Sequence, residues 1–213
     1  MLLHKMGWVF QKVLYPTLTW RKESAGQKHI YLTFDDGPIP EMTPDILKVL
    51  KKFEAKATFF CVGDNIRKYP EIFQKTQEEG HSVGNHTYHH LNGWRTPKSS
   101  YIENIALCTE VMQQHTIKPF SSKILFRPPY GRISQTQIKA LKHKYEIVMW
   151  EVLSGDFMAK LSENRCLEKT TAYTKPGSIV VFHDNLKAKK NVDSVLPRYL
   201  EYFSEQGYTF NAL

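Results

Sequence analysis

The chain predicts a single α/β domain built on parallel strands. Strand-like and helix-like segments alternate along its 213 residues. No repeat, low-complexity tract or linker interrupts them. The chemically rich residues all fall just after strand-like runs. Repeated β-α units imply parallel strands joined by right-handed crossovers. Roughly seven strands are expected from the hydrophobic pattern, enough to close a barrel or to form an open wound sheet.

The elements follow in order. Residues 29–34 (HIYLTF) read as a strand and end in Asp35-Asp36-Gly37-Pro38. A helix is expected over 43–54, because Ile46, Leu47, Leu50 and Phe53 share a face and Thr43-Pro44 offers an N-cap with proline in the first turn. Residues 57–62 (ATFFCV) form a short apolar run typical of a buried strand. Residues 70–79 look helical and stop at Gly80. A brief strand over 81–84 leads into His86-Thr87-Tyr88-His89-His90, three of the chain's nine histidines. Further helices are expected over 99–114, 134–143, 164–173 and 192–205, and further strands over 123–126, 145–150, 178–182 and 208–211. In parallel α/β folds the carboxyl ends of the strands carry the active site. Asp35-Asp36, His86–His90, Arg127–Tyr130, Asp156 and His183 should therefore meet on one rim.

Composition sets the outer bounds. With 41% hydrophobic and 23% charged residues the chain reads as globular. Its net charge of +8 suits an anionic partner, or simply a solvated basic surface. The densest basic run, Lys187-Ala188-Lys189-Lys190, is short and has no interleaved aromatics, so nucleic acid is not expected. Cys61, Cys108 and Cys166 form no C-x-x-C pair, and a reducing compartment, the cytoplasm, is expected, with membrane association as runner-up. No segment is apolar for long enough to span a bilayer. Residues 1–27 are set apart as an N-terminal extension, expected to be helical, from a domain over 28–213. Leu2, Leu3, Met6, Val9, Phe10, Val13 and Leu14 recur at helical spacing beside Lys5 and Lys12. Such a helix either docks on the domain's own surface or gives residues 1–22 a weak membrane-surface association. A monomer is expected.

The rim residues suggest metal and acid–base chemistry. On a helical turn, His86 can pair with His90 or with His89. Two imidazoles suit zinc, cobalt, nickel or iron, and a catalytic metal usually takes a third protein ligand. Asp35 or Asp36 could supply it. The intervening residues lack glutamate, so this is not the H-E-x-x-H of a zinc protease. Taken alone, the histidines also fit exposed or core positions. Asp35 and Asp36 diverge as they leave a strand, so one can bind a metal while the other serves as general base. A plain turn is the competing reading. Arg127 before two prolines can clamp a carboxylate bidentately, or form a surface ion pair. His183, at the mouth of a buried strand, reads as a general acid or a hydrogen-bonded core histidine.

Together these residues resemble the NodB-type polysaccharide deacetylases of carbohydrate esterase family 4. Thr33-Phe34-Asp35-Asp36-Gly37-Pro38, His86-Thr87-Tyr88-His89-His90 and Arg127-Pro128-Pro129-Tyr130-Gly131 match that family's first three motifs. Phe182-His183-Asp184 resembles its fifth, with Val181 in a leucine position. The resemblance runs from about Ile30 to the C-terminus in motif order. It implies a distorted (β/α)7 barrel that hydrolyses acetyl groups, usually N-acetyl, from a glycan such as peptidoglycan, a chitooligosaccharide or a glycan precursor. It further implies that Asp36, His86 and His90 hold one divalent metal, zinc first, with cobalt or nickel as alternatives. Asp35 would be the base held by Arg127, the Tyr130 N–H an oxyanion donor, and His183 the acid. His89 would be a bystander or a groove residue.

The fourth motif departs from the family pattern. Aligned on Trp150, Leu153 stands where an acid is usual, Asp156 is kept, and Phe157 replaces tryptophan. Asp156 would orient either Arg127 or His183. Phe157 would wall the acetyl methyl, Val181 would widen that pocket, and Pro128 and Trp150 would complete the substrate wall. A non-catalytic carbohydrate-binding relative should have lost a ligand, base or acid, and none is missing here. Hydrolysis of a non-glycan amide C–N bond is the other alternative.

Overall fold

The computed structural model describes residues 4, 13, 15–23, 25–120 and 123–213. Among them are eight strands and seven α-helices. They run β1 His29–Asp35, α1 Thr43–Lys52, β2 Ala57–Cys61, α2 Gly63–Lys68, α3 Pro70–Glu78, β3 Ser82–Asn85 and α4 Lys98–His115. After these come β4 Ile124–Phe126, α5 Gln135–Leu141, β5 Tyr145–Ile147, β6 Val152–Leu153, α6 Glu163–Tyr173, β7 Ile179–His183, α7 Lys189–Glu205 and β8 Thr209–Phe210. The strand order is β5-β4-β3-β2-β1-β7-β6, with β8 on β1, and every ladder is parallel. The sheet curls into an incomplete barrel with the helices outside, as the distorted (β/α)7 barrel requires.

Alternation along the strands separates two cores. On the helix side, Phe34 stacks on Phe59 at 5.0 Å and Phe182 meets Tyr199 of α7 at 5.6 Å. On the inner side lie Thr33, Asp35, Val181 and His183, so the same strands that build the core aim polar groups into the rim.

The edges of the curled sheet do not bond to each other along β5 and β6. The segment 18–22 ties them instead. Thr19 bridges Val148 just past β5, and its carbonyl accepts the Met149 N–H at 2.7 Å. Arg21 bridges Ser178 just before β7, and the Lys22 N–H donates to Gly177 O at 2.9 Å. Leu18 and Trp20 are buried in the same core as the strands. Residues 15–23 and 25–27 run as turns, bends and bridges. Leu2, Leu3, Met6, Val9, Phe10 and Leu14 of the amphipathic pattern lie outside the described residues. No described helix is long and apolar enough to cross a membrane.

Several local expectations are corrected. Thr43 is the first residue of α1 rather than its cap; Met42 holds that position, and the Thr43 hydroxyl donates to Asp184 Oδ2 at 2.6 Å instead. α2 was not expected, because Gly63-Asp64-Asn65 has turn composition. The strand expected over 145–150 stops at Ile147, and β6 is a separate two-residue strand on β7. Where capping grammar is local it holds: Ser134 and Gln137 form a reciprocal capping box on α5, and Ser162 caps α6.

Candidate active site

Asp36 sits one residue beyond β1 in the left-handed region, with φ of 94°. Its N–H donates to Phe60 O at 3.2 Å, and its carbonyl accepts from Asn65 Nδ2 at 2.7 Å. A Cβ on Gly37 would overlap the Asp184 carboxylate, so only glycine fits the next position. This sharp exit turns Asp35 and Asp36 apart, as expected.

His86 and His90 do converge on Asp36, but through a loop rather than a helical turn. Thr87 and His90 both have positive φ, of 64° and 55°. Side chains hold that shape. Asn85 Oδ1 accepts the Thr87 N–H, Thr87 Oγ1 accepts the Leu91 N–H, and Asn104 Oδ1 accepts the N–H groups of Tyr88 and His89. His89 turns away, its Nδ1 2.8 Å from Asn104 Nδ2. His86 Nε2 lies 3.5 Å and His90 Nε2 3.0 Å from Asp36 Oδ1. The three ligand atoms lie within 4.8 Å of one another.

The donor set fits a divalent cation. His86 Nδ1 is 2.8 Å from Arg127 O, and a carbonyl only accepts. That nitrogen therefore carries the proton, and Nε2 faces Asp36 Oδ1. Asp36 Oδ1 is buried and accepts no hydrogen bond among the described residues. A cation held between the two Nε2 atoms and this oxygen would satisfy all three. Burial opposes the charge on Asp36, but the adjacent His86 and His90 imidazoles, with the nearby His183, hold its carboxyl well below the ordinary range. Two imidazoles and one carboxylate are a common catalytic zinc set.

Directly before Asp36, at the end of β1, lies Asp35. Its Oδ1 accepts from Arg127 Nη1 at 2.7 Å. Arg127 is wholly buried, and all its nitrogens are used: Nη1 also reaches Thr33 Oγ1 at 2.6 Å, Nη2 donates to Met149 O at 2.8 Å, and Nε to Val148 O at 3.3 Å. The clamp on Asp35 is thus a single bond, not the expected two-pronged fork. The guanidinium also lies 4.2 Å from the centre of the Phe60 ring.

Beside Asp35 in the sheet register, at the end of β7, lies His183. Its Nδ1 is 2.8 Å from Asp156 Oδ1, and its backbone N–H donates to Asp156 Oδ2 at 2.7 Å. Asp156 therefore serves His183 and not Arg127. The bond fixes Nδ1 as a donor and leaves Nε2 for the rim. Burial alone would lower the His183 pKa; Asp156, with smaller help from Asp36 and Asp35, overrides this and lifts it to about 9. Phe157 stands edge-on to the imidazole at 4.9 Å.

The remaining expected residues frame the site. Tyr130 has φ of 61°, is 61% exposed, and meets the His90 ring edge-on at 4.7 Å. Pro128 is buried, and its carbonyl accepts the Gly131 N–H. Val181 is buried two residues before His183 on the inner face of β7. Trp150 lies against Gly131 and 5.8 Å from the Arg127 guanidinium carbon, and its buried Nε1 has no partner among the described residues. Sequence reading missed Asn65, Asn104, Asp184 and Asn185, which hold the ligand loops. Only Asp184 carried any signal, through its place beside His183.

A curled parallel barrel with a His2Asp cluster flanked by two buried acid–base pairs defines a hydrolytic barrel enzyme. The family model for polysaccharide deacetylase matches residues 22–148, and the chain belongs to that family. It is 37% identical over 155 residues to a peptidoglycan-N-acetylglucosamine deacetylase of Bacillus cereus, covering 72% of this chain and 55% of that one. A second peptidoglycan-N-acetylglucosamine deacetylase of Bacillus cereus is 31% identical over 206 residues, covering 95% of this chain and 94% of the other. The chain thus spans about half the length of the first relative and nearly all of the second. The crystal structure of a peptidoglycan N-acetylglucosamine deacetylase superposes with a TM-score of 0.85 at 30% identity, over 96% of this chain and 94% of that one.

Proposed function

We propose that the protein removes acetyl groups, N-linked, from a glycan of the peptidoglycan or chitooligosaccharide kind, using one zinc ion. The observation that carries this reading is the triad Asp36, His86 and His90 gathered at the same strand ends as the pairs Asp35–Arg127 and Asp156–His183. The relatives' named substrates support the glycan class.

Asp36, His86 and His90 would hold a divalent metal, which when bound would supply Lewis-acid polarisation of the acetyl carbonyl and a lowered pKa for water. Asp35, hydrogen-bonded to Arg127, takes a proton from the water that attacks the carbonyl carbon. The Tyr130 N–H, accepted by no described residue, steadies the oxygen as negative charge grows on it. His183 Nε2 then protonates the departing nitrogen. The C–N bond breaks, leaving acetate and a free amine. Phe157, Val181 and Trp150 wall the methyl group.

The acid role predicts a pH effect. His183 must be protonated to act, and its raised pKa keeps it so until the pH climbs towards about 9. Asp156→Asn removes the charge that raises this pKa and leaves the burial that lowers it. The upper limb of the kcat profile should move down by roughly one unit or more. A cation at Asp36 shifts wild type and variant alike, so the difference between the two profiles is the quantity to measure. Coincident upper limbs would refute the assignment.

The deciding experiment is acetate release from chitooligosaccharides, peptidoglycan fragments and acetylated xylan, with added zinc or cobalt and again with chelator. Release that chelator abolishes and zinc restores is expected. Metal-bound protein that releases acetate from none of these glycans would sink the reading and favour a non-glycan amide.

The proposal also keeps a monomer in the cytoplasm with weak surface association through residues 1–22. Leu18 and Trp20 belong to the core, so a deletion must stop at residue 14. Loss of sedimentation with anionic vesicles in that variant is expected, and unchanged sedimentation would refute the association.

A further inference from the structure

Asp36 has two carboxylate oxygens, and only Oδ1 faces the histidines. The other, Oδ2, accepts a hydrogen bond from Asn185 Nδ2 at 2.5 Å. The Asn185 amide cannot be turned round. Its Oδ1 accepts the Ala188 N–H at 3.0 Å at the entry to α7, so its NH2 must point at Asp36.

We propose that Asn185 is a positioning residue that reserves Asp36 Oδ2 and presents Oδ1 alone to the metal, with Asp184 bracing the turn on which Asp36 stands. This rests on the metal reading above. A carboxylate that binds through one oxygen fills one coordination position, whereas two oxygens fill two. With His86 and His90 as the other ligands, one-oxygen binding keeps positions open for water and for the acetyl oxygen.

Asp184 holds the turn from the opposite side. Its Oδ1 accepts the Gly37 N–H at 2.8 Å, and its Oδ2 accepts the Thr43 hydroxyl at 2.6 Å. Thr43 Oγ1 in turn accepts the Ile39 N–H at 2.9 Å. The Asp184 N–H donates to Asp35 O at 3.0 Å. The backbone of residues 35–39 is thereby gripped at three points by one buried carboxylate residue and its hydroxyl partner. Asn65 and Phe60 fix Asp36 from β2 and α2. Left to rotate about its side-chain bonds, Asp36 could turn both oxygens to the cation; the Asn185 amide prevents this. His183, Asp184 and Asn185 are consecutive, so the end of β7 places the acid and aims the metal ligand together.

The test measures zinc affinity on the full-length, metal-free protein by competition with a chromogenic chelator, alongside the visible spectrum of the cobalt form. Asn185→Ala should weaken zinc binding about 10–100-fold, the usual cost of losing such a partner. The cobalt bands should change as the carboxylate takes up a second position. Loss of the bond to the Ala188 N–H should lower the unfolding midpoint of the metal-free variant slightly, whereas a merely structural role would leave the cobalt bands of the folded variant unchanged. Asn185→Ser, too short to reach Asp36, serves if the alanine variant fails to fold and should show the same loss. Equal zinc affinity in wild type and a folded variant would overturn this assignment alone. Failure of the wild type to bind zinc would overturn it together with the metal reading.

Discussion

Asp35→Asn is expected to lower kcat by about 10²–10⁴-fold, the range for losing a positioned general base. Zinc binding should survive, because the Asp35 side chain is aimed at Arg127 and not at the triad. Asparagine matches the carboxylate in shape, and its oxygen can still accept from Arg127 Nη1. What it cannot do is take a proton from water. Paired measurements of kcat and zinc affinity separate this outcome from His86→Ala or His90→Ala, which should lose both. An Asp35→Asn protein with full turnover would show that the base lies elsewhere.

Arg127→Met should cost about 3–5 kcal/mol of stability, because it strands a carboxylate in the interior. Asp35 has a side chain only 6% exposed, and Arg127 is its one salt-bridge partner among the described residues. Methionine fills much of the arginine volume, so the loss is mainly electrostatic. Replacing both residues, as Arg127→Met with Asp35→Asn, removes the stranded charge. The double variant should therefore be more stable than Arg127→Met alone, giving a strong coupling in the double-mutant cycle. Urea unfolding of the four proteins measures this. Additive losses would mean that the two side chains do not depend on each other.

The sequence made the strand ends legible because chemistry punctuates them. An apolar run followed by two acids, a histidine cluster, or arginine with two prolines marks both an element boundary and a rim position. That is why the candidate residues could be placed on the rim by number, while the family resemblance chose Asp36, His86 and His90 among them as ligands and Asp35 as the base held by Arg127. Geometry was less accessible. The pairing of His86 with His90 was foreseen, but positive φ at Thr87 and His90 is set by Asn85 and Asn104 and has no local signature. Thr43 obeys local capping grammar on paper, yet a carboxylate far along the chain captures its hydroxyl. Asp156 had two plausible clients, and only the folding of β6 beside β7 decides for His183. α2 and β6 escaped notice because six and two residues are too few to show a period.

The segment 18–22 has a consequence for how the molecule comes into being. Its bridging partners are Val148 and Ser178, far along the chain, beyond β5 and before β7. During synthesis these residues are made before either of their partners and must wait for both to find their places. The end of β5 and the entry to β7 cannot be joined until Ser178 has been made, so a ribosome-bound fragment that stops after β5 still carries an open side. The match to the family model begins at residue 22, where this strap ends. A domain cut at that border keeps every residue of the triad and its flanking pairs but loses the clasp that completes the wall around them.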